Sequence, residues 1–106
     1  GLQSGSDQRM DFPIPASVFD HLEKICTMRS PSLSPVMILQ VLDILYRFRA
    51  CEESRTMLAK EKKFVLFLVT LFGLKTRTDV PEWVANKRVT WPQFGNYLSS
   101  LKNANR

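Results

Sequence analysis

His21 is the single histidine of this 106-residue chain, and Cys26 and Cys51 are its only thiols. These side chains could carry nucleophilic or metal chemistry, but their surroundings supply neither. A Ser-His-Asp device needs an oriented base and a strained nucleophile turn. No G-x-S-x-G occurs, and Asp20 and Glu23 flank His21 without sharing its helix face. A zinc site needs three or four ligands, and one histidine with two distant cysteines does not provide them. The cysteines lie inside apolar patterns and read as buried, reduced thiols, although one bridge between them would also satisfy the count. Glu52 and Glu53 are adjacent, so on a helix they diverge by about 100° and cannot share a substrate as an acid–base pair. None of the four glycines opens a phosphate-cradling loop. The expectation is a chain with no catalytic residues, no cofactor and no metal.

Binding chemistry has more to work with. Residues 1–53 carry five basic and seven acidic side chains, whereas residues 54–106 carry ten basic and three acidic ones. A basic second half suits an acidic partner: a protein surface, a nucleic acid or a phosphate-bearing membrane. Trp83 and Trp91 sit within this half, with Lys75 and Arg77 before them and Lys87 and Arg88 between. Aromatics interleaved with Lys and Arg are what single-strand binders use for stacking and phosphate contact. The same pattern arises when tryptophans pack a core while lysines face water. No Lys/Arg run exceeds two residues, and no winged-helix, RRM or zinc-finger phrase occurs.

The candidate partner-binding residues are therefore Lys62, Lys63, Lys75, Arg77, Trp83, Lys87, Arg88 and Trp91. The function they suggest is a protein–protein interaction module, a helical scaffold or adaptor that binds an acidic or apolar peptide or partner surface. Nucleic-acid binding through Trp83 and Trp91 is the alternative. Ser30-Pro31 and Ser34-Pro35 are proline-directed phosphorylation sequences, and Ser34 equally reads as a plain helix cap.

The elements that must position these residues read as helices. Ser17 precedes an apolar stripe at Val18, Leu22, Ile25 and Cys26, with Asp20 at the capping-box position, so a helix is predicted from Ser17 to about Arg29. Pro13 and Pro15 keep the preceding segment extended, and the two prolines of 30–35 make a turn. Ser34 as N-cap and Pro35 at the first helical position start a second helix that runs to about Arg49. Its polar residues Gln40, Asp43 and Arg47 form one narrow stripe, which predicts a central helix with a surface Asp43–Arg47 pair. Glu52 and Glu53 open a short helix to about Lys60, anchored by Met57 and Leu58.

Residues 62–72 could be a buried strand. Leu and Phe outnumber the β-branched residues there, which favours a helix, with Gly73 as its C-terminal cap. Asp79-Val80-Pro81-Glu82 reads as a D-x-x-E start for a short helix through about Asn86. Thr90-Trp91-Pro92-Gln93 reads as T-x-x-Q, leading into a stripe at Phe94, Tyr97, Leu98 and Leu101.

The chain length holds one domain. Residues 1–12 read as a disordered lead-in or a cloning remnant, 13–102 as a single all-α domain of about five to six helices, and 103–106 as a frayed tail. No apolar run approaches the roughly 20 residues of a membrane span, and 1–11 has no signal-peptide core. A soluble protein of the cytoplasm or nucleus is the simplest expectation.

Residues 36–73 resemble one unit of an armadillo or HEAT repeat. The resemblance rests on the long apolar helix at 38–48, the stretch Glu52-Glu53-Ser54-Arg55-Thr56-Met57-Leu58-Ala59, and the apolar run 64–72. Lys60-Glu61-Lys62-Lys63 departs from the pattern, and no second clear repeat follows Gly73. The resemblance implies a stacked helical scaffold that binds other proteins. A closed six-helix bundle of death-fold size fits the helix count as well.

Overall fold

The computed structural model describes residues 15–27, 33–48, 57 and 59–104, with backbone alone at 26 and 27. The lead-in, Arg29, the start of the Ser-Pro turn with Ser30, the pairing of Cys26 and Cys51, Glu52-Glu53 with most of their short helix, and Leu58 lie outside the described residues. Among the described residues the chain forms five helices: α1 Ala16–Thr27, α2 Pro35–Arg47, α3 Ala59–Thr76, α4 Glu82–Asn86 and α5 Trp91–Ala104. The all-helical expectation holds for them, including residues 62–72, which are helix and not strand.

α3 is the axis of the fold. It packs against α1, α2 and α4, while α5 closes over α2. Its residues Glu61, Phe64, Val65, Leu68, Val69, Phe72 and Gly73 are all buried. They recur at three and four, the spacing that lines one side of a helix. Ile38, Leu42 and Leu45 from α2 and Trp91, Phe94 and Leu98 from α5 complete the same core. The thin polar stripe of α2 predicts a helix central to the fold. Among the described residues α2 packs against α3 and α5 and buries Ile38, Leu42 and Leu45, while Val36, Met37 and Ile44 stay exposed.

The helix ends explain themselves residue by residue. At α2, Ser34 is the N-cap: its side-chain oxygen accepts the Met37 N–H at 3.2 Å, and Pro35 follows as expected. At α5 the T-x-x-Q box closes in both directions. Thr90 N–H donates to Gln93 Oε1 at 2.9 Å, and Gln93 N–H donates to Thr90 Oγ1 at 3.4 Å. Two other expected caps fail. α1 begins at Ala16, one residue early, with the Pro15 carbonyl accepting from Val18 and Phe19, so Ser17 lies inside the first turn. α4 begins at Glu82 with Pro81 as N-cap and no side-chain bond, so Asp79 does not cap it.

Gly73 is not a cap either. α3 runs past it to Thr76 and ends on Arg77, whose φ is 58°, with Thr78 N–H donating to the Gly73 carbonyl at 3.1 Å. This six-to-one bond with a left-handed residue is a Schellman ending. α4 ends in the same way on Lys87 (φ 60°), with Arg88 N–H donating to the Trp83 carbonyl at 3.2 Å. Gly73 serves a different purpose. A Cβ there would lie 2.6 Å from Val80 Cγ1 and 3.2 Å from the Thr78 carbonyl oxygen. The missing side chain lets the 78–80 segment fold back onto α3.

A candidate interaction groove along the last helix

The fold-back at Gly73 makes one wall of a groove, and α5 makes the other. A concavity of about 420 Å³ is lined by Phe72, Thr76, the segment from Thr78 to Pro81, and Tyr97, Ser100, Leu101 and Ala104. It shares Pro81 and Tyr97 with a second one of about 390 Å³, which adds Trp83, Gln93 and Asn96. On its other side it shares Phe72 and Thr76 with a third of about 250 Å³, bounded by Pro35, Val36 and Leu39 of α2. The first two follow one stripe of α5: Gln93, Asn96, Tyr97, Ser100, Leu101 and Ala104, spaced at three and four. At 1.5 Å per residue that stripe is about 16 Å long.

The lining is apolar with hydroxyls and amides, and its one ionisable carboxylate is Asp79. Asp79 forms no ion pair or hydrogen bond among the described residues. Much of the local hydroxyl capacity is already spent on the backbone. Thr76 Oγ1 is 2.7 Å from the Phe72 carbonyl and 2.8 Å from Thr78 Oγ1, and Ser100 Oγ donates to the Tyr97 carbonyl at 3.1 Å. Tyr97 forms the ridge between the two larger concavities, held edge-on to Trp83 with ring centroids 5.6 Å apart. Burial raises the pKa of its phenol, and the hydroxyl has no hydrogen-bond partner among the described residues.

The structure scatters the sequence-derived candidates. Trp83 and Trp91 are buried, Trp83 against Tyr97 and Trp91 against Tyr46 and Phe94. Neither offers an open ring for base stacking, so the packing explanation accounts for both. Lys63 binds Glu23 of α1 at 2.9 Å, an ion pair across two helices, so it braces α1 and is not a spare rim charge. Lys62 is half-buried on the same turn of α3. Lys75 and Arg77 stand about 20 Å further along α3 and are exposed beside Thr76. Lys87 and Arg88 are exposed just after α4. Ser34 is exposed, so its capping role does not hide it from a kinase.

Asp43 is not the surface partner of Arg47 alone. It is 15% exposed and takes Arg47 at 3.3 Å on one oxygen and Lys102 at 2.7 Å on the other, which ties α5 to α2. Of the sequence-derived candidates only Trp83 lines the groove; its other residues carry neither the charge nor the aromatic–basic pattern that marks the basic positions. One signal was available: a glycine inside an otherwise apolar helix marks a close backbone approach. Among the described residues no helix is long and apolar enough to cross a membrane, and no cluster of His, Cys, Asp or Glu could hold a metal. No family model, no curated protein and no solved structure matches the chain.

Proposed function

We propose that this protein is a non-catalytic interaction module that takes an apolar segment of a partner protein in the groove along α5. The continuity of the concavities through Pro81 and Tyr97, and through Phe72 and Thr76, carries this reading. Concave, largely apolar sites with a few polar groups are where proteins bind ligands and peptide anchors. Val36 and Val80 supply exposed apolar surface at its walls. Lys75, Arg77, Lys87 and Arg88 stand around it, which favours acidic residues flanking the apolar segment and speeds encounter with them. The armadillo- or HEAT-like character of residues 36–73 belongs to the same proposal; the packing of α2 on α3 supports it.

Peptide display on the folded protein tests the idea. Peptides enriched on the parent chain should lose binding to Val80→Arg and Leu101→Arg, two groove-wall variants whose helicity is checked by circular dichroism. Peptides that bind both variants as well as the parent would place the interaction surface elsewhere. Binding to single-stranded oligonucleotides that collapses with added salt would favour the nucleic-acid alternative.

A further inference from the structure

Exposed apolar side chains gather on one helix. Among the described residues Val36, Met37 and Ile44 of α2 stand open to solvent, and only Leu74 and Val80 do so elsewhere. The exposed positions of α2 are 36, 37, 40 and 44, which fall on the side opposite the buried Ile38, Leu42 and Leu45. Single exposed apolar residues are ordinary, but several on one helix face mark a contact surface. Along this face Met37, Gln40 and Ile44 are spaced three and four apart, the interval of a seam between paired helices. Val41, half-buried against the core, lies beside them.

The chemistry of the face says what fits it. α2 carries two charged side chains, Asp43 and Arg47, which pair with each other at 3.3 Å. Asp43 is held further by Lys102 of α5. The exposed positions 36, 37, 40 and 44 have no ionisable group. An acidic partner, which suits the cations of the second half, finds nothing to recognise here. The net charge of +5 makes copies of the chain repel one another, so two copies meet most readily across an uncharged face. The face is also complementary to itself. About a two-fold axis between Gln40 and Val41, Met37 of each helix lies opposite Ile44 of the other, and the two Gln40 amides come together beside the axis. A polar pair in such a seam fixes its register. The antiparallel order sets opposite helix dipoles side by side.

We infer that the exposed face of α2 is a homodimer contact, in which Met37, Gln40 and Ile44 of two copies pair antiparallel about a two-fold axis. It is separate from the proposed groove along α5, and Val36 borders both. The 13 residues of α2 span about 20 Å, and one helix pair of that length covers less than the roughly 800 Å² per partner of a standard interface. The dimer is therefore weak and reversible, and forms as concentration rises.

Sedimentation velocity on the full chain tests the contact. From micromolar to millimolar concentration the weight-average mass should climb from the 12.2 kDa of one chain toward twice that value. Added salt should strengthen association, because it screens the net charge while the face has no ion pair to lose. Met37→Lys and Ile44→Lys should each weaken association about ten-fold or more, since two-fold symmetry counts every substitution twice. Gln40→Lys, which removes no apolar contact from the fold, should do the same by setting two cations beside the axis. Circular dichroism checks that the variants keep their helicity. The double variant Met37→Glu, Ile44→Lys should associate again, because antiparallel pairing sets each glutamate against a lysine, whereas parallel pairing would set like charges together. A parent that keeps the mass of one chain at every concentration would overturn the dimer and leave the face to a different protein. Association that falls with salt, or that persists unchanged in the three single variants, would overturn it by placing the contact elsewhere. Loss in the single variants without recovery in the double one would overturn the antiparallel pairing.

Discussion

α1 and α5 are helices of similar length, 12 and 14 residues, laid against the same core and held by different means. α5 buries Trp91, Phe94 and Leu98, starts on a closed capping box, and ties back to α2 through the partly buried Asp43–Lys102 contact. Among its described side chains α1 fully buries only Leu22. A tilted Phe19–Phe64 ring pair at 5.5 Å and the exposed Lys63–Glu23 bridge add to it. Both carry a helical apolar stripe, yet α5 sends three buried side chains into the core and α1, among its described side chains, one. The proposed groove gains from this placement: its long wall is the better-anchored helix.

Emptying the two anchors should separate the helices most. Phe94→Ala should cost about 3–5 kcal/mol and lower the melting temperature of the whole domain. Leu22→Ala should act locally, speeding amide hydrogen exchange in α1 well before the global melt changes in proportion. Equal loss of global stability in the two variants would show that α1 is as much part of the core as α5.

The charged tie of α5 comes next. Asp43→Asn leaves Arg47 and Lys102 facing a neutral amide in a partly buried site, and should cost about 1–3 kcal/mol in a denaturant melt. Lys102→Met should recover part of that loss when combined with it, since it removes the orphaned cation. Simple additivity of the two changes would mean that the contact couples nothing.

How far these arrangements could be read from the chain depends on how local their causes are. The Ser34-Pro35 and Thr90–Gln93 caps were legible because their bonds join residues three apart. Gly73 was misread because its neighbours, Thr78 and Val80, return to it only once the chain has turned. The second half's cations were legible as charge and not as geometry: Lys63 is claimed by Glu23, 40 residues away. The groove forms between α5 and the 78–81 segment folded back on α3, so no single stretch announces it.

Tyr97 tests the groove side of α5 at a smaller scale. Its hydroxyl is buried with no partner among the described residues, so Tyr97→Phe should leave the neutral-pH stability unchanged or raise it by about 1 kcal/mol. Burial holds the phenol pKa above its usual value near 10. The folded state therefore keeps the proton longer than the unfolded chain. Stability from this group is fully present below about pH 10 and falls as pH rises through the folded value. Melts from neutral to alkaline pH should show a shallower decline in Tyr97→Phe than in the parent; parallel curves would mean that the hydroxyl is solvated.

Arg77→Gly and Lys87→Gly relieve side chains held at positive φ, and each should raise stability by about 0.5–1 kcal/mol. A loss in either would mean that the arginine or lysine side chain contributes more than its backbone strain costs.

The smallest effect belongs to the exposed bridge of α1. Both partners are more than half exposed, so Lys63→Gln should cost only a few tenths of a kcal/mol, and high salt should erase even that. The lysine also lies 5.8 Å from the Phe64 ring centre and Lys60 lies 5.5 Å from that of Phe19, so the cationic side of α3 brushes the aromatic seam where α1 docks. Amide exchange in α1, followed in low and high salt, separates these contributions. If α1 is held by apolar contact, Leu22→Ala loosens it at both salt concentrations, while Lys63→Gln acts weakly and only at low salt. A larger opening in Lys63→Gln than in Leu22→Ala would reverse the comparison with α5, making α1 a helix held on by charge.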